Sequence, residues 1–345
     1  MLKQISLLIL CAVAIVLFAT PVQACTSAVV SGKVTLDGRP LLWKNRDTDF
    51  MRNHVDYVKG ERYDFIAVVN SANAYLKEAW MGTNSAGFAL MNTQSYNLVD
   101  VKGDEERGAA NGRVIYRALE VCATVEDFCH FLDTISKPSD IEANFGVIDA
   151  QGGAAMFEVD YYKYVMYDAN NPKDAPYGYI ARTNFSFAGK VNEGAGYVRY
   201  MEADQVLMKA SATGNITPQF IFNDLSRSFR NRMLDIDLRS GGYNRPQASG
   251  WFIDQDFIPR SSTSCSVVVQ GVKPGVKAEL TTMWTLLGYP PTGIAVPLWV
   301  KDAGKLLPGM VRFNKEHEAA LLSDWSLRLE TEFSAISREW APDVI

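Results

Sequence analysis

The sequence predicts an α+β fold in which antiparallel sheets are layered with helices. Three observations point there. Strand-like runs fall in two blocks on either side of a central helical block. Neighbouring runs are joined by hairpin signals, Asp37-Gly38 and Gly152-Gly153. The regular strand–helix–strand alternation that marks a parallel sheet is missing.

The elements follow in chain order. Residues 26–31 read as a strand, a turn follows at 36–40, and a second strand begins at Leu41-Leu42-Trp43. Further strand-like runs occupy 64–70, 87–94, 145–150, 154–159 and 164–167, with Gly152-Gly153 turning between two of them. Helical periodicity marks 112–122 and 125–135, the second with Thr124 as N-cap, and helices are also expected at 197–210 and 218–231. Late strands fall at 264–270, 279–287 and 293–299, and an amphipathic helix runs from 317 to 340. Residues 241–259 are loop-like, rich in Gly, Pro, Asn and Gln, and either line a pocket or lie on the surface.

Composition narrows the class. The 345 residues are 48% hydrophobic and 21% charged, with a formal net charge of -5. This excludes a disordered chain, a coiled coil and a collagen-like repeat. The acidic balance argues against a nucleic-acid partner. A mean hydropathy of -0.07 is too low for a multi-span membrane protein.

Much of the hydrophobicity sits at the start. Lys3 is followed by an apolar run from Ile5 to Ala19, the break Thr20-Pro21, and Val22-Gln23-Ala24 with small residues at both cleavage positions. This is the pattern of a secretory signal peptide, residues 1–24. The run is shorter than the ~20 residues of a spanning helix, so no stable membrane insertion is expected after cleavage. The mature chain, 25–345, reads as a single domain, exported to the periplasm or secreted. Its first residue is Cys25. From the terminus alone two readings stand: a lipid-acylated anchor on a binding protein, or an N-terminal nucleophile whose own α-amine activates the thiol.

The usual catalytic signatures are silent. His54, His130 and His317 stand at no metal-ligand spacing, and P-loop, dinucleotide and nucleophile-elbow motifs are missing. No metal and no cofactor is therefore expected. Polar residues punctuating apolar strands remain: Lys44-Asn45-Arg46-Asp47-Thr48-Asp49, Asn92 and Asn184. A cation such as Arg46 beside a thiol favours the thiolate, and a carboxylate such as Asp49 orients an ammonium. An amide N–H₂ at a strand end is either turn chemistry or an oxyanion donor. Cys122 and Cys129 lie seven apart across a helix-to-helix joint, where export permits a disulfide although the spacing fixes no geometry.

In order along the chain, Cys25-Thr26, Asn45-Arg46-Asp47-Thr48-Asp49, Gly87 through Asn92-Thr93, and Thr183-Asn184 resemble the linear amide C–N hydrolases of the N-terminal nucleophile (Ntn) superfamily. That group includes choloylglycine (bile-salt) hydrolases, penicillin V acylases and isopenicillin-N acyltransferase-like proteins. Tyr197-Val198-Arg199-Tyr200 is a fifth, weaker match. Met283-Trp284 and Pro297-Leu298-Trp299 look closer to the acyltransferase-like branch.

The resemblance implies a four-layer αββα sandwich and an enzyme that cleaves a linear amide through a thioester on Cys25. It implies Arg46 beside the thiol, Asp49 at the amine, Asn92 and Asn184 at the oxyanion, and Arg199 in the polar network. A small-molecule N-acyl amide is the implied partner. Acyl transfer to another amine, dipeptidase activity and self-association into a homo-oligomer are compatible with the sequence.

Overall fold

The computed structural model describes residues 24–99, 108–240 and 256–333. The expected signal segment apart from Ala24, most of the 241–259 loop, and the end of the terminal helix lie outside the described residues.

The chain opens with β1 (Cys25–Val30), which turns back as β2 (Leu41–Asp47), with Val30 opposite Leu41 and Cys25 opposite Arg46. The predicted turn contains Gly38 at a φ of 79°, a left-handed conformation that glycine adopts without steric cost. The chain then crosses to a second sheet and builds an antiparallel meander. Its strands are β3 (Asn53–Val58), β4 (Phe65–Asn70), β5 (Met81–Asn84), β6 (Ala89–Gln94), β7 (Ala143–Ile148), β8 (Ala154–Val159) and β9 (Tyr164–Asp168), in spatial order. Between β6 and β7 lie α1 (Asn111–Val121) and α2 (Val125–Thr134). Thr124 caps α2 as expected and forms a reciprocal capping box with Asp127.

The chain returns to the first sheet as β10 (Tyr179–Arg182), then forms α3 (Tyr197–Ser211) and a small hairpin, β11 (Arg230–Asn231) and β12 (Ile236–Asp237). β13 (Thr263–Gln270), β14 (Thr282–Leu287) and β15 (Ala295–Leu298) complete a six-stranded antiparallel sheet of order β10-β1-β2-β13-β14-β15. The last described helix is α4 (Leu321–Phe333).

Strand alternation divides the apolar side chains into three cores, and these define four layers. Val29 and Leu42 meet Val68, Met91 and Met156 between the sheets. Phe65, Phe145 and Phe157, on the other face of the seven-stranded sheet, pack under α1 and α2, where Phe128 and Phe157 meet edge-on at 5.1 Å. Burying one such phenyl ring contributes about 1.5–3 kcal/mol. Ala28, Val30, Leu41 and Trp43 pack against Ala203 and Leu207 of α3. The molecule is thus the αββα sandwich of two antiparallel sheets between helical layers. Among the described residues no helix is long and apolar enough to cross a membrane.

Several elements depart from the sequence reading. The helix expected at 218–231 is one α-turn, Pro218–Phe220, running into a π-helical segment, Ile221–Leu225. The wider turn brings Ser226 to the sheet, where its carbonyl accepts from Asn45 Nδ2 at 2.9 Å and its hydroxyl accepts from Trp43 Nε1 at 2.9 Å. β3 and β5 were not expected, because polar Asn53, His54 and Asp56 in one and Gly82 in the other obscure their apolar alternation. The terminal helix begins at Leu321 because Ala319–Ala320 first pair with Phe313–Asn314. Cys122 and Cys129 are free thiols. Cys122, the C-cap residue of α1, is buried, which pushes its pKa up to about 12, while Cys129 packs beside Met166.

Candidate active site

The parity of β1 places Cys25, with Val29, on the face between the sheets, and only 6% of Cys25 is exposed. Its backbone N–H donates to Asn184 Oδ1 at 2.9 Å. Asn184 lies just past β10, where it makes an isolated bridge with Ala195. Its Nδ2 donates to the carbonyl of Gln94, at the end of β6, at 2.8 Å.

Arg199 of α3 locks this pair. Nη1 donates to the Cys25 carbonyl at 2.6 Å and to Thr26 Oγ1 at 2.9 Å, while Nη2 donates to Asn184 Oδ1 at 2.8 Å. Because a guanidinium only donates, the atom of Asn184 facing it and Cys25 must be the amide oxygen. The amide therefore presents its acceptor, not its N–H₂, to the nitrogen of Cys25. Burial pulls the Arg199 pKa down to about 10, which leaves it charged at neutral pH. Gly196, at the N-cap of α3 with a φ of 85°, is needed here twice over, since a Cβ would also collide with Arg199 Nη2.

On the other side of Cys25, β2 contributes two buried cations. Lys44 Nζ donates to Asn92 Oδ1 at 2.9 Å and to the Trp80 carbonyl at 3.2 Å. Arg46 Nη1 donates to Asn53 Oδ1 at 2.6 Å, and its guanidinium lies 4.5 Å from the centre of the Trp80 ring. Burial lowers the pKa of Lys44, opposed first by the charge of Cys25, and lowers that of Arg46 to about 10. Cys265 of β13 faces Arg46 from the opposite side to Cys25 and is fully buried, which raises its pKa. A half-buried Tyr96 completes the surroundings; loss of solvent around its hydroxyl, then the Cys25 charge, raises its pKa.

Of the residues singled out in the sequence, Cys25, Arg46, Asn92, Asn184 and Arg199 converge. Asp49 does not. It lies past the end of β2 and is exposed, and the nitrogen of Cys25 is held by Asn184 instead. The buried carboxylate of this segment is Asp47. It accepts from Arg260 Nε at 2.8 Å and Thr263 Oγ1 at 2.7 Å, and lies 4.0 Å from Arg199. Its backbone N–H donates to the Ala24 carbonyl at 2.9 Å. The motif Lys44-x-x-Asp47 has the same spacing as Arg46-x-x-Asp49, two residues earlier, and a two-residue slip preserves the face of a strand. The legible signal was the Asp37-Gly38 hairpin. It pairs Ser27 with Lys44 and makes Lys44 a diagonal neighbour of Cys25.

A model of the family acyl-coenzyme A:6-aminopenicillanic acid acyl-transferase matches residues 35–219, more than half of the chain. The chain belongs to this family. It is therefore an enzyme of the Ntn hydrolase and acyltransferase group, which acts on amide bonds. The matched span carries Lys44, Arg46, Asp47, Asn92, Asn184 and Arg199 and begins ten residues after Cys25.

Among solved structures, a mutant conjugated bile acid hydrolase from Clostridium perfringens is 12% identical, with a TM-score of 0.47 over 81% of this chain and 93% of that one. Penicillin V acylase from Agrobacterium tumefaciens is 15% identical, with a TM-score of 0.42 over 80% and 86%. The Caenorhabditis elegans N-acylethanolamine-hydrolyzing acid amidase ortholog is 17% identical, with a TM-score of 0.38 over 58% and 89%. No curated protein sequence matches the chain.

Proposed function

We propose that this acyltransferase-family member is an exported cysteine hydrolase that cleaves a linear N-acyl amide through a thioester on Cys25. Removal of residues 1–24 exposes an amine at the position where the amide N–H now meets Asn184. The observation that carries the reading is this contact and its anchoring. The nitrogen of Cys25 is held by Asn184 Oδ1, and Asn184 is held by Arg199, which also binds the Cys25 carbonyl.

Each group then has a task. The α-amine takes the thiol proton, with Asn184 fixing its direction. The sulfur attacks the amide carbonyl, with Lys44 and Arg46 balancing its charge. Asn92 turns its oxygen to Lys44 and so offers its N–H₂ to the developing oxyanion. The α-ammonium returns the proton to the leaving nitrogen, the C–N bond breaks, and the acyl group remains on sulfur. Water, activated by the same amine, or an acceptor amine in the transferase direction, attacks the thioester and frees the thiol.

The burial of Cys25 also weighs against a lipid anchor, for a diacylglyceryl group on this sulfur would have to fit between the sheets. The test combines three measurements: N-terminal sequencing and intact mass of exported protein, turnover of a panel of N-acyl amino acids, bile-salt conjugates, penicillin V and dipeptides, and the Cys25→Ala variant. The expected result is a terminus at Cys25 and amidase activity abolished by the substitution. A different terminus, a lipid adduct, or activity that survives Cys25→Ala defeats the proposal. Preference for free dipeptides would move the assignment to a dipeptidase.

A further inference from the structure

The segment that carries Asn184 runs past the end of β10 and is steadied by a side chain from the other sheet. Asn144, in β7, is fully buried. Its Nδ2 donates to the carbonyls of Thr183 and Phe185, each at 3.2 Å, and to Thr93 Oγ1 at 3.1 Å. Its Oδ1 accepts from Ser186 Oγ at 2.6 Å. Thr183 and Phe185 flank Asn184, and Thr93 is the residue after Asn92.

In an extended chain the carbonyls of residues i and i+2 point the same way. A donor that holds both fixes the rotation of the residue between them. One amide from β7 thus brackets Asn184 from behind, and Asn184 Oδ1 points to Cys25 on the opposite side. The amide's own orientation is set by Ser186, since a hydroxyl hydrogen bond to Oδ1 turns Nδ2 toward the two carbonyls.

We propose that Asn144 is a positioning residue for the amide-cleaving reaction. It holds the Asn184 segment, and with it the nitrogen of Cys25, and ties that segment to the β6 strand that carries Asn92. This rests on the reading of Cys25 as the nucleophile. The side chain of Asn144 bonds to Thr93, Thr183, Phe185 and Ser186 and not to Cys25, so its effect appears in turnover rather than in substrate binding.

Two variants test it, with Asn144→Ala as the control. Asn144→Asp keeps the shape, removes both N–H donors and sets an oxygen against two carbonyls. Ser186→Ala leaves the donors in place and releases the amide to rotate. Asn144→Asp should lower kcat by about 10- to 100-fold, the scale of a misplaced catalytic group. KM should stay within about threefold. Lowering the pH should restore part of the kcat in Asn144→Asp, because a protonated carboxyl donates one hydrogen bond, and none in Asn144→Ala. Ser186→Ala should lose about three- to tenfold in kcat, one hydrogen bond's worth, and it carries the test alone if the Asn144 variants do not fold. Wild-type kcat in Ser186→Ala, or in a folded Asn144→Asp, overturns the proposal. So does a KM that rises in step with the loss of kcat. Turnover that survives Cys25→Ala overturns the nucleophile reading instead, whatever the Asn144 variants do.

Discussion

The main-chain nitrogen of Cys25 and Oδ1 of Asn184 meet at 2.9 Å across 159 residues of sequence. The contact joins the first strand of the described chain to the segment after β10, and under the proposed cleavage before Cys25 it would need no rearrangement as the amide nitrogen became an amine. The acceptor is in place beforehand. A preorganised partner costs no reorganisation during the reaction.

Asn184→Ala should therefore lower kcat/KM by about 10²- to 10³-fold, comparable to the removal of one preorganised polar partner from an acyl-transfer site. The substitution removes the acceptor for both Cys25 and Arg199 and the donor to Gln94, so a loss of thermal stability should accompany it. Steady-state kinetics on the best substrate of the panel, with a melting curve, are sufficient. A variant with wild-type kcat/KM would mean that the amine is oriented by something else.

Arg199 does what a lysine cannot. Two nitrogens of one planar group reach Cys25 O, Thr26 Oγ1 and Asn184 Oδ1. Arg199→Lys should keep the buried charge and fold but lose about 10²-fold in kcat, because a single ammonium cannot span the three acceptors. Arg199→Ala should in addition cost roughly 3 kcal/mol in urea unfolding, from the loss of charge-assisted bonds in a buried site. If Arg199→Lys retains full activity, the fork geometry is unimportant.

How much of this was legible in the sequence follows from what kind of signal each residue carries. Strands 26–31 and 264–270 announced themselves by apolar runs, and Asp37-Gly38 supplied the register that puts Arg46 opposite Cys25. Asn184 and Arg199 were reachable through their order behind Cys25, not through any periodicity. Asp49 was misplaced because two cation-x-x-Asp patterns overlap in Lys44-Asn45-Arg46-Asp47-Thr48-Asp49, and strand length decides between them. β2 ends at Asp47, so Asp47 is buried and Asp49 is exposed. The role of Asn144 had no local signal at all. Its partners lie 39, 41, 42 and 51 residues away: Thr93 is its cross-strand neighbour in the same sheet, and the stacking of the two sheets brings Thr183, Phe185 and Ser186 to it.

A stability prediction concerns the ion pair that bridges the sheets close to the site. Arg182 Nε donates to Glu158 Oε1 at 2.7 Å with both side chains buried, and Glu158 also accepts from the backbone N–H groups of Phe187 and Ala188. Arg182 lies 3.9 Å from the centre of the Phe187 ring. Glu158→Ala leaves a buried guanidinium without its carboxylate, and the expected destabilisation is about 3–5 kcal/mol. Glu158→Gln retains an acceptor for part of the set and should cost less. Urea denaturation of the three proteins checks the order; equal stability of wild type and Glu158→Ala would mean that Arg182 finds another partner or leaves the interior.

Lys44 yields a prediction in pH. Its ammonium is buried, and burial lowers its pKa below the ordinary lysine value of 10.5 even though the charge of Cys25 pulls the other way. Lys44 therefore loses its proton in the folded protein at a lower pH than in the unfolded chain. Between those two values the unfolded chain binds more protons, so the folding free energy becomes more favourable as pH rises through that window. The same deprotonation removes a cation from beside Cys25, and kcat/KM should fall along an alkaline limb placed below the usual lysine range. Lys44→Arg keeps its charge there, so its limb should move to higher pH or vanish, with activity at neutral pH within about tenfold of wild type, since one buried cation replaces another. Lys44→Met should lose that limb and the plateau together, by about 10²-fold, as expected on deleting one electrostatic stabiliser. It should also lack the alkaline gain in stability. The measurements are pH–rate profiles and pH-dependent unfolding of the three proteins. An alkaline limb that stays in place in Lys44→Arg would assign that titration to another group.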